Sequence, residues 1–265
     1  MALPVGLGVL RALVKEISVS GESVKPLVVG GARELAAVLR RDLGRGAKPG
    51  AVRAEDEPKG GAVYVYVLGG EPTSADEAAL KRARRARVPI VAIAAWPLSD
   101  DVSLPYMLAT DIVRLGAGQG FPLETIVRLI AVRLEEEGAP LAARVPVLRR
   151  AVCERLVASF AKRNGIIGAA VFIPGVDLPV LTLNEIRLVL RLEQAYGLAV
   201  DPRERLPEIA ATLGAGFGFR ALTRELLDLV PVAGWAVKGA VAYAGTRALG
   251  EATLRRLEVG APGGH

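Results

Sequence analysis

Ala62-Val-Tyr-Val-Tyr-Val-Leu68 lies between two glycine pairs, Gly60-Gly61 and Gly69-Gly70. It is built from β-branched and aromatic side chains and bounded by turn residues, which makes it a strand. Both sets of alternate positions are apolar, so both faces of the strand are buried, as in a mainly parallel sheet covered by helices. Reading outward, Pro26-Leu-Val-Val-Gly30 is a shorter strand of the same kind, and residues 32–43 form a helix closed by Gly44 and Gly46. Residues 51–54 are a candidate fifth strand. On the other side, Thr73 or Ser74 caps a helix with Asp76 and Glu77 in its first turn, running to about Arg87. Val88-Pro-Ile-Val-Ala-Ile-Ala-Ala95 and Asp111-Ile-Val-Arg-Leu115 are further strands, with a short helix over 104–109 between them. A helix over 123–136 ends the series. Strands alternating with helices predict an α/β domain over residues 25–137, with a mainly parallel sheet and helices on both faces.

The rest of the chain is predicted to be helical. Residues 141–163 read as one helix, with Leu141, Val145, Leu148, Val152, Leu156 and Phe160 on one side. A proline-bracketed break, Ile173-Pro-Gly-Val-Asp-Leu-Pro179, precedes a helix from Leu181 to near Tyr196-Gly197. The glycine-rich Gly214-Ala-Gly-Phe-Gly218 follows no strand, so it is no dinucleotide loop. A long last helix runs from 231 to about 257. An all-α domain is thus expected over 138–259, with a flexible tail at 260–265. At the N-terminus, Leu3, Leu7, Leu10, Val14 and Ile17 form one apolar stripe on an amphipathic helix within residues 1–24. That stripe docks on the protein itself, lies on a membrane or pairs with another chain.

Composition removes several chemistries. Among 265 residues there is one histidine, His265, and one cysteine, Cys153. A histidine triad, a histidine-ligated metal and a two-cysteine redox pair are all out of reach of one chain, and no metal or cofactor is expected. Apolar residues make up 51% of the chain, which excludes global disorder. Residues 1–137 carry 18 Lys/Arg against 17 Asp/Glu, and residues 138–265 carry 16 against 11. A basic, apolar C-terminal half suits an anionic membrane surface. Aromatics are only 5% and are not interleaved with basic residues, so a nucleic-acid partner is not expected. The longest uncharged run, residues 164–176, is 13 residues long, too short for a bilayer span. The first ten residues lack a basic n-region and make a poor signal peptide. A cytoplasmic protein, peripheral on the inner face of the cell membrane, is the expectation.

Ligands of parallel α/β sheets bind beyond the carboxyl ends of the strands. There the chain offers Gly30-Gly31 and Gly69-Gly70, whose backbone amides are the candidate ligand contacts. The lysine and hydroxyl of a phosphate-binding loop do not follow Gly30-Gly31. Trp96-Pro-Leu-Ser-Asp100 lacks the Asn/Thr-Lys-x-Asp pattern that reads guanine, and Asp100 with Asp101 reads as a solvated cap or an acidic pair. The order of elements over 26–136 resembles a small Era-like GTPase, and the departures imply a degenerate, non-hydrolysing domain. Lys81, Arg82, Arg84, Arg85 and Arg87 form a basic run, either a solvated helix face or a contact for an anionic partner or lipid headgroup.

Pro174, Gly175, Asp177 and Pro179, then Thr182, Ile186 and Tyr196-Gly197, then Pro231, Gly234, Lys238, Thr246 and Gly250-Glu251 fall in one order. That order resembles the YcjF-like family, a bacterial domain of unknown function, number six-nine-seven in its series. The resemblance implies a domain often placed after an Era-like GTPase domain, and membrane association. It carries no catalytic residues, so none is assigned. Some members carry separate spanning helices that this sequence lacks, which points away from integral insertion. In the last helix Ala236, Ala240, Ala244 and Ala248 recur every four residues, a small-residue row on which another helix, in this chain or in a second copy, can pack closely. The expectation is a non-catalytic, membrane-associated or scaffold protein with a membrane, protein or self partner. The alternative is a nucleotide-binding regulator.

Overall fold

The computed structural model describes residues 7–55, 57–95, 104, 107, 112–116, 118–170, 178–198 and 234–260. It consists of a five-stranded, all-parallel sheet with helices, and a separate helical region. The chain divides into two compact units. Ser23–Val152 forms the α/β unit, and Met1–Glu22 with Cys153–His265 forms the helical unit.

In the α/β unit β1 (Leu27–Gly31), β2 (Val52–Ala54), β3 (Val63–Leu68), β4 (Ile90–Ala94) and β5 (Ile112–Arg114) lie in the order β2-β1-β3-β4-β5. Every pairing is parallel, with Leu27 opposite both Val52 and Val63. The candidate strand at 51–54 is present, as the edge strand β2. Both edge strands are three residues long, which limits the unpaired backbone they present. β3 is buried at all six positions. Its Tyr64, Tyr66 and Leu68 meet Val28, Ala92 and the inner face of α3 (Ser74–Arg85), namely Ala79, Leu80 and Ala83. The opposite sheet face, Leu27, Val29, Val65, Val67, Val91 and Ile93, is equally buried. α2 (Arg33–Leu43) touches β1 and β2, and α4 (Leu123–Leu134) touches β3 and β4. The crossover from β1 to β2 runs the opposite way along the sheet from that between β3 and β4. With right-handed crossovers this sets α2 and α3 on opposite faces.

The single helix expected over 141–163 is two. α5 (Gly138–Arg144) stops before Pro146, whose predecessor Val145 is forced out of helical geometry (φ −125°, ψ 86°). One 3₁₀ turn later α6 (Arg149–Ala170) begins. The apolar stripe survives the break, since Leu141, Val145, Leu148, Val152, Leu156 and Phe160 are all buried. The boundary expected at 137/138 also moves. Residues up to Val152 belong with the sheet, and the division falls inside α6. The N-terminal helix, α1 (Leu7–Glu22), is no separate domain and belongs to the helical unit.

In that unit α7 (Leu178–Ala195) is the inner helix: from Leu181 to Ala195 only Leu183 and Arg187 are partly exposed. α1 buries Leu13, Val14 and Ile17 and touches α7. Gln194 donates to the carbonyl of Ile17 at 2.8 Å, and Arg191 to Ser20 Oγ at 2.9 Å. Of the N-terminal stripe, Val14 and Ile17 dock on the protein itself, while Leu3 and the side chains of Leu7 and Leu10 lie outside what the structure describes. α8 (Gly234–Gly260) also lies against α7. The lone cysteine, Cys153, is buried. Among the described residues no helix is long and apolar enough to cross a membrane.

Candidate functional site

The order β2-β1-β3-β4-β5 reverses direction between β1 and β3, which is where doubly wound sheets hold ligands. Gly30-Gly31 and Gly69-Gly70 stand at that point, and packing accounts for three of the four glycines. A Cβ on Gly30 would collide with the Tyr64 ring and hydroxyl. Gly31 has φ +100°, and a Cβ there would strike the Val67 carbonyl oxygen. A Cβ on Gly69 would come within 2.9 Å of the Ala32 Cβ. The next amide, Ala32 N–H, donates to Val67 O at 2.8 Å, so it prolongs the ladder rather than facing a ligand. Only Gly70 has open space around it. The two chains leaving β1 and β3 thus close on each other at the switch point.

Beside it, Tyr66 donates its hydroxyl to Asp76 Oδ1 at 2.7 Å. Thr73 donates both Oγ1 and N–H to Asp76 Oδ2, at 2.6 and 2.8 Å, while Asp76 N–H returns a bond to Thr73 Oγ1. This is a complete capping box for α3. Partial burial works against ionisation of Asp76, but the bonds from Thr73 and Tyr66 outweigh it and hold the carboxyl below its ordinary range.

The outer face of α3 is different. Lys81, Arg82, Arg84, Arg85 and Arg87 are all exposed, and none of them forms an ion pair among the described residues. At about 100° per residue, Lys81 and Arg85 centre the face opposite Ala79, Leu80 and Ala83, flanked by Arg82 and Arg84. α3 ends in a Schellman motif: Val88 N–H reaches Ala83 O at 3.0 Å and Arg87 N–H reaches Arg84 O at 3.1 Å. The left-handed position of that motif favours glycine, yet it holds Arg87 at φ +56°.

In the helical unit, polar groups meet inside. Asn184 Nδ2 donates to Asn164 Oδ1 at 2.8 Å, and Asn164 Nδ2 donates to Thr246 Oγ1 at 2.9 Å. Thr246 in turn donates to Glu185 Oε1 at 3.2 Å. All four side chains are buried. Sequence reading missed this chain of bonds. The available signal was that Asn164 continues the four-residue row Leu156, Phe160 of α6 and so had to enter the core.

The expectation that the alanine row packs on a helix of this chain needs correction. Ala236, Ala240, Ala244 and Ala248 are all exposed in this chain. α8 turns inward the neighbouring row, Gly239, Ala242, Thr246, Gly250, Thr253 and Leu257. The close approach is made there: a Cβ on Gly168 of α6 would lie 2.9 Å from the Ala242 Cβ, and one on Gly239 would lie 2.8 Å from Gly165 O. Two rows of small residues lie side by side, and Thr246, bonded to Asn164 and Glu185, fixes which one faces in. Of the positions on which the family resemblance is read, Pro174, Gly175, Asp177 and Pro231 lie outside the described residues, as do Asp100, Asp101, 214–218 and 261–265. Pro179 is exposed near the start of α7, Gly234 opens α8 and Lys238 is partly exposed. Thr182, Ile186, Thr246 and Gly250 are buried packing positions.

No protein-family model, curated protein or solved structure matches this chain.

Proposed function

We propose that the protein is a non-catalytic, peripheral membrane protein that engages anionic lipid through the outer face of α3. The observation that carries this reading is the set of five exposed cations at Lys81–Arg87 without carboxylate partners among the described residues. The excess charge of the C-terminal half supports it less, because Arg187, Arg247 and Arg256 hold Glu16, Glu251 and Glu193. At about 1 kcal/mol per cation near an anionic surface, five cations supply about 5 kcal/mol. That is a weak, reversible and salt-sensitive attachment. The packing duties of Gly30, Gly31 and Gly69 favour this reading over a nucleotide-binding regulator. The YcjF-like resemblance, with its membrane association, agrees with it.

Arg87 gives the test a variant that does not weaken the fold. A left-handed non-glycine residue costs about 1–2 kcal/mol, and glycine returns about half of that through its unfolded-state entropy. Arg87→Gly should therefore raise stability by about 0.5–1 kcal/mol in urea melts while lowering co-sedimentation with phosphatidylserine-containing vesicles. Lys81→Gln with Arg85→Gln should nearly abolish that binding. Equal binding to pure phosphatidylcholine, or insensitivity to these substitutions, would defeat the proposal.

A further inference from the structure

At the opposite end of the sheet from Gly30-Gly31, the last turn of α2 and the loop to β2 enclose an open cleft of about 460 Å³. Arg40, Arg41 and Lys48 line it with Gly44, Pro49 and Gly50, and no acidic residue takes part in the lining. Arg40, Arg41 and Lys48 are exposed, and none has an ion-pair partner among the described residues. The nearest carboxylate in sequence, Asp42, is held by Arg45 at 2.8 Å. Three uncompensated cations converge on a space large enough for a small organic anion.

The cleft is also a fixed shape. Its loop wall is tied down by Lys48 N–H to Arg144 O at 2.8 Å, Ala51 N–H to Lys48 O at 3.0 Å and Ala47 N–H to Gly44 O at 3.0 Å. The Arg144 guanidinium donates to Pro49 O at 3.1 Å and to Val24 O at 3.3 Å. Gly46 and Gly50 take the left-handed turns the loop needs, at φ +67° and +73°. A wall ordered beforehand spares a ligand the cost of ordering it. The carbonyl end of α2 contributes about half a negative charge, against three positive side chains. The net field still selects an anion.

We propose that this cleft binds a phosphate-bearing ligand, with Arg40, Arg41 and Lys48 as its charge partners and Arg144 as the residue that positions the loop wall. Two arginines and a lysine match the bidentate and point-charge modes by which phosphate groups are held. The ligand chemistry is a phosphate ester carrying two or more negative charges, supplied either by a soluble metabolite or by a phosphorylated lipid headgroup. This inference does not depend on the α3 reading.

Isothermal titration with pyrophosphate and with inositol 1,4-bisphosphate tests it, alongside flotation with vesicles containing phosphatidylinositol phosphate. The expected result is saturable, salt-sensitive binding that weakens about tenfold for each of Arg40→Ser, Arg41→Ser and Lys48→Ser. Ala37→Glu places a carboxylate in the lining without removing a side chain and should weaken binding as much. Lys81→Gln with Arg85→Gln should leave the titrations with the soluble probes unchanged. Capture of the soluble probes, with vesicle binding that the cleft variants do not lower, assigns a metabolite. Vesicle flotation that the cleft variants lower further in the Lys81→Gln, Arg85→Gln background assigns a headgroup. No saturable binding to any probe, or equal losses in α3 and cleft variants, would overturn the proposal.

Discussion

Tyr64 in the α/β unit and Asn164 in the helical unit are both fully buried, and their surroundings differ in kind. Tyr64 stands among Val28, Leu80, Val88 and Ala92, and the sheet ladder has already satisfied the backbone polar groups around it. Asn164 stands among Asn184, Thr246 and Glu185. The buried Asn, Thr, Gln, Glu and Arg side chains among the described residues all belong to the helical unit: Thr182, Asn184, Glu185, Arg191, Glu193, Gln194 and Thr253 join Asn164 and Thr246. A parallel sheet fixes its own register through the backbone, so its core needs only shape. Helices with faces of alanine, glycine and leucine can slide or roll past one another at little cost. A chain of buried hydrogen bonds selects one arrangement, as a single buried asparagine does in a coiled coil.

The comparison breaks first, if it breaks, at Gly31. Gly31→Ala adds a Cβ against the Val67 carbonyl in a left-handed backbone, and both the clash and the strain fall inside the ladder. The expected loss is about 3 kcal/mol or more. Gly50 is also left-handed but has nothing within 4 Å, so Gly50→Ala should cost only about 1–2 kcal/mol. Urea melts of the pair separate close approach from backbone strain. Equal losses would show that β1 and β3 have room to part.

On the helical side Asn164→Ala should cost about 2–3 kcal/mol, because Asn184 and Thr246 each lose a buried partner. The distinguishing measurement is the double-mutant cycle with Asn184→Ala. A connected network predicts a coupling of about 0.5–3 kcal/mol, whereas additive losses would mean that each side chain acts alone. Hydrogen exchange should place the Asn164 effect in α6, α7 and α8, and the Gly31 effect in the sheet.

Legibility in the sequence follows the same divide. The strands could be read because their residues are apolar on both alternations, and Thr73 could be read as a cap from the acidic first turn behind it. The sheet order could not, since nothing in 51–54 says which neighbour it pairs with. α5 and α6 merged in the reading because the apolar stripe carries across Pro146, although the proline itself was the stop signal. α7 is legible as a helix, but its burial on every side except the face of Val180, Leu183 and Arg187 is hidden by Asn184, Glu185, Arg191, Glu193 and Gln194. Polar residues are ordinarily evidence of a solvent face, and only tertiary partners turn them inward. At the candidate sites the basic run of α3 was visible as a run. The α2 cleft was not, because Lys48 joins Arg40 and Arg41 only through the fold of the intervening loop.

The two rows of α8 give a sharper version of this lesson. Ala242→Leu should cost about 1–3 kcal/mol, because Ala242 meets Gly168 at close range. Ala240→Leu and Ala244→Leu lie on the exposed row and should stay within about 0.5 kcal/mol of the parent. The same change two positions apart thus reads which row faces the core. A large loss at Ala240 or Ala244 that grows with protein concentration would instead place a second copy on that row.

The smallest effect belongs to the rim of the sheet, where Thr73 and Tyr66 gather around Asp76. Thr73→Ala removes the side-chain half of the capping box and should cost about 1 kcal/mol at neutral pH. Part of that loss depends on the charge of Asp76. Its carboxyl is held below the ordinary range in the folded protein, so its contribution is complete above the unfolded value near 4. It is lost as pH falls through the lower folded value. The stability gap between the parent and Thr73→Ala should therefore narrow as pH falls below the unfolded value near 4. It should not vanish, because Thr73 Oγ1 still accepts from Asp76 N–H when the carboxyl is neutral. The change is a fraction of 1 kcal/mol, since the carboxylate is largely solvated and its interactions are screened. Urea melts of both proteins across the acid range decide it. A gap that stays constant through that range would mean that the bond from Asp76 N–H alone makes the cap, leaving the bond from Thr73 Oγ1 to the Asp76 carboxylate without a share in stability.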